Sequence, residues 1–297
     1  MPTVTTFDSY MERVTRGERL SAEDIRELSV TPDILSLGML ADALRRRLHD
    51  RRVTFVRVAE SAFERPFADG VPLSARELRL TGAPPDLAAA VAAVTTAKSI
   101  AGDRTVTAFA WSDVERWSSG TSIASVLAGL RSAGLDALAE LSIDEVQDPA
   151  AAVRQLMGAG FAQLRWSIRK ASPDARVGLL LRLAELQDAC GCIQSINPLP
   201  MSLATFRPTT GYEDVKMVAI ARLAAPNVPS IQVDWQRYGP KLAQVALTFG
   251  ADDVDGVSAS DEASEGRRRA PLAEITRNIE AAGLLPAERD GRFAVLA

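Results

Sequence analysis

The sequence predicts a (β/α)8 barrel of the TIM type, in which eight parallel strands alternate with helices in a closed ring. Short apolar, β-branched segments alternate with longer segments of helical periodicity, an order typical of parallel strands joined by helices. Eight such units fit into 297 residues, and barrels of this kind often fill more than 200 residues as one domain. We therefore expect a single domain over residues 1–297. A doubly wound open sheet is the alternative topology.

Each predicted element follows from local sequence character. The strand-like segments are short and rich in β-branched side chains; they span residues 53–58, 77–82, 105–111, 137–143, 163–169, 193–199, 230–235 and 253–257. The helical segments carry apolar residues at three- and four-residue spacing; they span residues 122–133, 148–158, 174–189, 212–223, 240–249 and 272–282, with one more opened by Pro84, Pro85 and Asp86.

Three segments depart from the regular alternation. Residues 1–50 predict a helical cap, with helical periodicity over 7–28 and 33–48. About 17 residues, 60–76, join the first two strands and include two prolines. Since a crossover with a full helix needs about a dozen residues or more, we expect the barrel to be thinned at this first unit. Residues 258–270 are charged, with little apolar periodicity, and predict a mobile loop.

Composition excludes several classes of function. The formal net charge of −4 disfavours nucleic acid or an anionic membrane as a partner, because both attract a basic surface. No apolar run approaches the roughly 20 residues that span a bilayer, and the first ten residues lack the basic and apolar regions of a secretory signal. We therefore expect a cytoplasmic protein with no membrane contact.

Metal-binding side chains are few. Cys190 and Cys192 are the two cysteines of the chain, separated by one glycine, and His49 is its one histidine. Two thiolates do not complete a closed metal site, and such close cysteines rarely suit a disulfide. We expect no metal site built by this chain, and the cysteine content is typical of a reducing compartment.

Candidate ligand-binding residues follow the ends of the predicted strands, because barrel active sites lie at that face. Arg165, Ser167 and Arg169 alternate along the fifth strand, so their side chains should point inward together. Inward arginines are costly unless they pair with acids or with an anionic ligand, and they therefore indicate a ligand pocket. The other candidates at this face are Asn197, Asp234, Gln236, Gly239, Lys241 and Asp255.

Two of these groups have alternative interpretations. Gly239 and Lys241 flank Pro240 where a helix begins, so backbone N–H groups and the lysine could hold a carboxylate or phosphate; the same residues could simply start a helix. Asp255 belongs to a run of acids with Asp252 and Asp253, which could bind a hard cation or could solvate a loop. Their spacing does not match a known calcium loop, so we expect no metal there. The sequence assigns no catalytic residue.

Several longer segments resemble the aminodeoxyfutalosine synthase and cyclic dehypoxanthinyl futalosine synthase family, the radical-SAM enzymes of the futalosine route to menaquinone. The segments that carry the resemblance are residues 37–49, 179–188, 196–200, 210–223 and 239–256. The resemblance implies a radical-SAM barrel with a four-iron cluster. In the family, three thiolates of a Cys-x3-Cys-x2-Cys motif after the first strand hold this cluster.

The chain departs from the family pattern where that chemistry would occur. Its matching loop, residues 59–70, contains no cysteine. After the second strand, the SAM-binding region of the family is degenerate here: Gly82 and Asp86 remain and the histidine is absent. After the sixth strand, residues 200–203 read Pro-Met-Ser-Leu where the family has His-Pro-Glu-Asn. We therefore expect a degenerate member with no cluster cofactor and doubtful SAM binding.

Three functional hypotheses follow. The first is a cluster-free homologue that acts in menaquinone biosynthesis as a non-catalytic partner or ligand-binding subunit, either with a radical-SAM enzyme or as a homo-oligomer, and that binds a small nucleoside-like ligand. The second is an enzyme that reuses the barrel pocket for polar chemistry on a nucleoside or an aromatic carboxylate. The third is an active synthase that borrows cluster ligands from another chain.

Overall fold

Eight parallel strands close into a barrel in the computed structural model, which describes residues 7–200, 211–263 and 269–296. The barrel strands are β1 (Arg52–Ala62), β2 (Glu77–Thr81), β3 (Thr105–Ala110), β4 (Ala137–Ser142), β5 (Leu164–Ser167), β6 (Ile193–Asn197), β7 (Ser230–Asp234) and β8 (Asp253–Ser258). Neighbouring strands pair in chain order from β2 to β8, and β1 pairs with both β8 and β2. The predicted barrel is therefore confirmed, and the open-sheet alternative is wrong.

Helices follow most strands and form an outer layer. They are α1 (Phe7–Arg16), α2 (Ala22–Ser29), α3 (Ile34–His49), α4 (Leu87–Ala101), α5 (Trp111–Trp117), α6 (Ile123–Ser132), α7 (Pro149–Gly158), α8 (Pro173–Cys190), α9 (Tyr212–Ala224), α10 (Trp235–Leu247) and α11 (Pro271–Ala281). The short α5 directly after β3 was not predicted. Among the helices that the structure describes, none has both the length and the apolar character needed to cross a bilayer.

The amino-terminal segment contains three helices where the sequence indicated two. The segment 7–28 divides because Gly17 has a φ of +82° and Ser21 caps a new helix through its side chain. Helices α2 and α3 pack against the outer side of α9, and β7 contacts its inner side. Helix α9 is therefore covered on both sides and buried along most of its length. This double coverage explains why α9 has no clear polar face.

The crossover from β1 to β2 contains no helix over residues 63–76, which the structure describes completely. Turns occupy this segment, and Phe67 is buried within it. The expected thinning at the first unit is thus present. The predicted mobile loop 258–270 is described only in part, since residues 264–268 lie outside the described residues.

A ninth strand, β9 (Leu285–Glu288), was missed by the sequence analysis. It pairs in parallel with the first half of β1, from Arg52 to Phe55, whereas β2 pairs with the second half, from Val58 onward. The following residues, 289–296, cross the amino-terminal end of the barrel, where Gln163 donates a hydrogen bond to the carbonyl of Arg292. The carboxyl-terminal segment therefore covers the end of the barrel opposite to the expected site.

Candidate ligand-binding site

A cavity of about 600 Å³ opens at the carboxyl ends of the barrel strands. This is the face where barrel enzymes bind their substrates. Most of the residues that the sequence singled out line it: Gly82, Arg165, Ser167, Arg169, Asn197, Asp234, Gln236 and Asp255. The structure thus brings together side chains that are up to about 170 residues apart in the chain, and the cavity has the size of a small-molecule site.

Three predicted residues lie outside this cavity. Gly239 has a non-helical φ of 72° and bends α10, so that the second part of the helix begins at Pro240. Lys241 follows in that helix and does not line the cavity. Asp86 caps α4 by accepting the backbone N–H of Ala89. The geometry therefore favours helix initiation over ligand binding for all three.

Arg165 points into the barrel, as its position in β5 predicts, and is buried there. Its Nη1 donates to both carboxylate oxygens of Glu77, at 3.1 and 3.0 Å, and its Nη2 donates to the carbonyl of Gly291. Glu77 is fully buried and also accepts a hydrogen bond from Thr107 at 2.7 Å. The partner of Arg165 is thus an acid of the barrel itself, and this arginine does not require an anionic ligand.

Arg79 extends this buried ionic network toward the cavity. Its Nη2 lies 2.6 Å from Glu77 and 2.9 and 3.0 Å from the two oxygens of Asp255. Burial opposes the ionisation of Asp255, but Arg79 and Arg165 outweigh it and hold the pKa of this carboxyl well below its usual range. Burial likewise opposes ionisation of Glu77, and the same two arginines lower its pKa.

The three acids near β8 have separate partners. Asp252 pairs with Arg222 outside the barrel. Asp253 accepts two hydrogen bonds from Arg289, at 2.6 and 2.7 Å. Together with the pairing of Asp255, this division means that the three carboxylates do not converge on one point, and the described part of the chain contains no cluster of three or more side chains suited to a metal.

Strand β5 is shorter than predicted, and this moves Arg169 away from the interior. The carboxylate of Asp144 accepts the backbone N–H groups of residues 169, 170 and 171, which turns the chain after Ser167. Arg169 consequently lies at the mouth of the cavity, with its Nη1 3.6 Å from Glu140. Arg237 approaches the same carboxylate at 3.6 Å from α10.

Two polar side chains on the opposite wall remain without full partners. Asn197 is only 8% exposed, and its side-chain oxygen has no hydrogen-bond partner among the described residues. Deeper in the barrel, the hydroxyl of the fully buried Ser195 also lacks a partner within residues 7–200, 211–263 and 269–296. Asp234 follows on β7, where burial and the neighbouring Asp255 raise the pKa of its carboxyl. Buried polar groups are usually hydrogen-bonded, so this wall is suited to a polar ligand.

The cysteines lie at the other end of the barrel. Cys190 ends α8 and Cys192 directly precedes β6, where its carbonyl accepts the N–H of Leu164 at the start of β5. Burial and, to a smaller extent, the neighbouring Cys190 raise the pKa of the Cys192 thiol to about 12. The residues of the cavity therefore do not fit a four-iron cluster, which requires thiolate ligands.

Comparison with known proteins agrees with the resemblance seen in the sequence. Residues 201–296 match the family model of the CofH/MqnC C-terminal region. An aminodeoxyfutalosine synthase from Thermus thermophilus is 28% identical, and the match covers 95% of this chain and 94% of that protein. The resemblance to the aminodeoxyfutalosine synthase family is confirmed. The alignment with the Thermus enzyme extends over 363 positions, more than the 297 residues of the chain, so that enzyme contains segments without a counterpart here.

Other relatives match over shorter regions of the chain. The enzyme from Streptomyces coelicolor is 34% identical over 148 residues, 42% of this chain and 38% of its own length. A 5-amino-6-(D-ribitylamino)uracil–L-tyrosine 4-hydroxyphenyl transferase from Archaeoglobus fulgidus is 34% identical over 136 residues, 41% of this chain. The match to that protein spans about two fifths of its length, 39%.

Solved structures agree on the fold. Methylornithine synthase aligns with a TM-score of 0.69 at 16% sequence identity, covering 94% of this chain and 97% of that one. The hydrogenase maturase HydG aligns with a TM-score of 0.65 at 13% identity, covering 95% of this chain and 76% of that one. At these identities the likeness supports the barrel architecture alone.

Proposed function

We propose that this chain is a cluster-free relative of aminodeoxyfutalosine synthase that binds a small nucleoside-like ligand and acts in menaquinone biosynthesis as a non-catalytic partner or ligand-binding subunit. One observation carries the proposal. The chain has a cavity at the carboxyl ends of the barrel strands, where barrel enzymes bind their substrates, but only two cysteines, and both lie at the opposite end of the barrel. The ligand pocket is therefore retained without the thiolates that radical chemistry requires.

The proposal is tested by anaerobic reconstitution with iron and sulfide, followed by absorbance and EPR spectroscopy. We expect no stable four-iron signal and no cleavage of S-adenosylmethionine. In parallel, thermal-shift titration with adenosine and inosine should raise the melting temperature, because a ligand that binds only the folded state stabilises it. A stable cluster that cleaves S-adenosylmethionine without another protein would contradict the proposal.

One observation favours polar catalysis as a second candidate function. Asp234 and Asp255 are register partners on β7 and β8, and their pKa values move in opposite directions, up for Asp234 and down for Asp255. Carboxylates separated in this way can serve as the acid and the base of one reaction. Conversion of a bound nucleoside into a new product, detected by chromatography, would favour this alternative. Loss of that turnover in Asp234→Asn would place the reaction at the Asp234–Asp255 pair.

A further inference from the structure

Two hydrogen-bond acceptors on the β6–β7 wall of the cavity lack hydrogen-bond partners among the described residues. Asn197 lines the cavity and is more than nine-tenths buried, and its Oδ1 has no hydrogen-bond partner in the part of the chain that the structure describes. On the neighbouring strand, Oδ1 of Asp234 accepts the backbone N–H groups of Gln236 and Arg237, both at 2.9 Å. The nearest cationic atom to its Oδ2 is Nε of Arg237, at 3.8 Å, too far for a hydrogen bond.

The basic side chains of the cavity, in contrast, are already engaged by acids. Arg165 and Arg79 bind Glu77 within the buried network, and Arg79 also binds Asp255. At the mouth, Arg169 and Arg237 lie on either side of Glu140. Among the described residues, Nε of Arg165 is a buried guanidinium atom of the cavity without a hydrogen-bond partner. An anionic ligand would otherwise compete with these acids for the arginines, whereas a ligand rich in N–H donors would meet Oδ1 of Asn197 and Oδ2 of Asp234.

We propose that Asn197 and Asp234 bind the ammonium group of a small ligand, so that the cavity takes an amine in preference to a phosphate or a carboxylate. This inference rests on the proposed function and specifies its ligand. The ammonium donates to Oδ1 of Asn197 and to the free oxygen of Asp234, and its charge neutralises a buried carboxylate. The interaction is a charge-assisted hydrogen bond in a site partly shielded from water, which is among the strongest polar contacts in proteins.

The electrostatics of Asp234 agree with this assignment. Burial and the facing Asp255 raise the pKa of Asp234, while Arg237 on α10 and Arg79 on β2 oppose them. The net direction shows that the local arginines do not fully compensate this carboxylate. A bound cation supplies the missing counter-charge.

The experiment compares three probes that differ only in the group on the 5′ carbon of the ribose. They are 5′-amino-5′-deoxyadenosine with an amine, adenosine with a hydroxyl and adenosine 5′-monophosphate with a phosphate. Their dissociation constants for the full chain are measured by calorimetry at neutral pH. We expect the amine to bind at least about tenfold more tightly than adenosine, and the phosphate to bind more weakly than adenosine. Equal affinities, or a preference for the phosphate, would overturn the amine assignment and leave the proposed function standing. Failure of all three probes to bind would overturn both.

Two variants and a matched control localise the effect. Asp234→Asn and Asn197→Leu should each reduce the amine preference by about tenfold. Asp113→Asn removes the same unit of charge from the cavity wall, but Asp113 is already paired with Arg116 at 2.6 Å, so the preference should persist. Asparagine still caps α10, so the melting temperature of Asp234→Asn should not fall. If the amine preference survives in both Asp234→Asn and Asn197→Leu, the amine does not bind at these residues. The same conclusion follows if Asp113→Asn abolishes the preference to the same extent.

Discussion

Glu77 is the central residue of the barrel interior. It is fully buried and contacts Arg165, Arg79 and Thr107. A buried carboxylate is costly to desolvate, and only the two guanidinium groups and the hydroxyl compensate that cost. The network therefore contributes little net stability relative to an apolar core. Removing one member, however, destabilises the fold, because it leaves the others buried without a full set of partners.

Replacing Glu77 should expose this dependence. We expect Glu77→Ala to lower the free energy of unfolding by about 3–5 kcal/mol, because Arg165 loses its acidic partner and Arg79 loses one of its two. Chemical denaturation measures the change, and Glu60→Ala, which alters an exposed acid of β1, should stay within about 0.5 kcal/mol of the parent. An unchanged midpoint in Glu77→Ala would show that the buried pairs are unimportant.

The pH dependence of this variant has a definite sign. The pKa values of Glu77 and Asp255 are lowered in the folded state, so their ionisation stabilises the protein above the ordinary carboxylate range and less as the pH falls. The stability difference between the parent and Glu77→Ala should therefore shrink on acidification below about pH 4. A difference that grows on acidification would contradict the assignment.

At the scale of elements, the carboxyl-terminal segment completes the barrel. Strand β9 pairs with the half of β1 that β2 leaves free. The residues that follow contact the barrel interior from the amino-terminal end of the strands. Arg289 is fully buried, pairs with Asp253 through two hydrogen bonds, and lies 3.8 Å from the ring centre of Phe293. The segment thus supplies the cationic partner of Asp253.

Two arginines in this segment form a natural comparison. Arg289→Ala should cost about 3–5 kcal/mol, because Asp253 would remain buried without its counter-charge, with only the neutral donors Thr54 and Gln232 beside it. Arg292 is half-exposed and lies 3.4 Å from Asp136, so Arg292→Ala should cost no more than about 1 kcal/mol. Thermal and denaturant unfolding of the two variants checks the difference, and equal effects would mean that the segment does not anchor the interior.

On the scale of the whole molecule, the two ends of the barrel are chemically distinct. The cavity with its polar wall opens at the carboxyl ends of the strands, while the cysteines and the carboxyl-terminal segment lie at the amino ends. A barrel filled by side chains separates them. The thiols are therefore structurally remote from any ligand in the cavity.

This separation predicts the behaviour of a cysteine-free protein. The double variant Cys190→Ala/Cys192→Ala should bind 5′-amino-5′-deoxyadenosine within about twofold of the parent affinity, a difference of about 0.4 kcal/mol. Its iron content after reconstitution should match that of the parent. Calorimetry and metal analysis make the test, and a loss of binding or of bound iron would place the thiols at the functional site.

The sequence by itself determined the alternation of strands and helices, the missing first crossover helix and the absence of three cysteines after the first strand. Each is a local property, set by the periodicity of side chains or by composition. Most of the residues that it singled out line the cavity, because barrel sites lie at the carboxyl ends of the strands and alternation along a strand fixes which side chains face inward. Glu77 and Arg79 were missed although they alternate along β2 in the same way as Arg165 and Ser167 along β5.

Only the tertiary structure decided what the inward side chains contact. Arg165 meets Glu77 from a strand 88 residues away, and Asp253 meets Arg289 from a segment beyond the last helix. Barrel closure creates these pairs, and no local pattern encodes which charge lies opposite which. The same closure leaves Asn197 and Asp234 incompletely paired, and so distinguishes a stabilising ionic network from a wall that can bind a ligand.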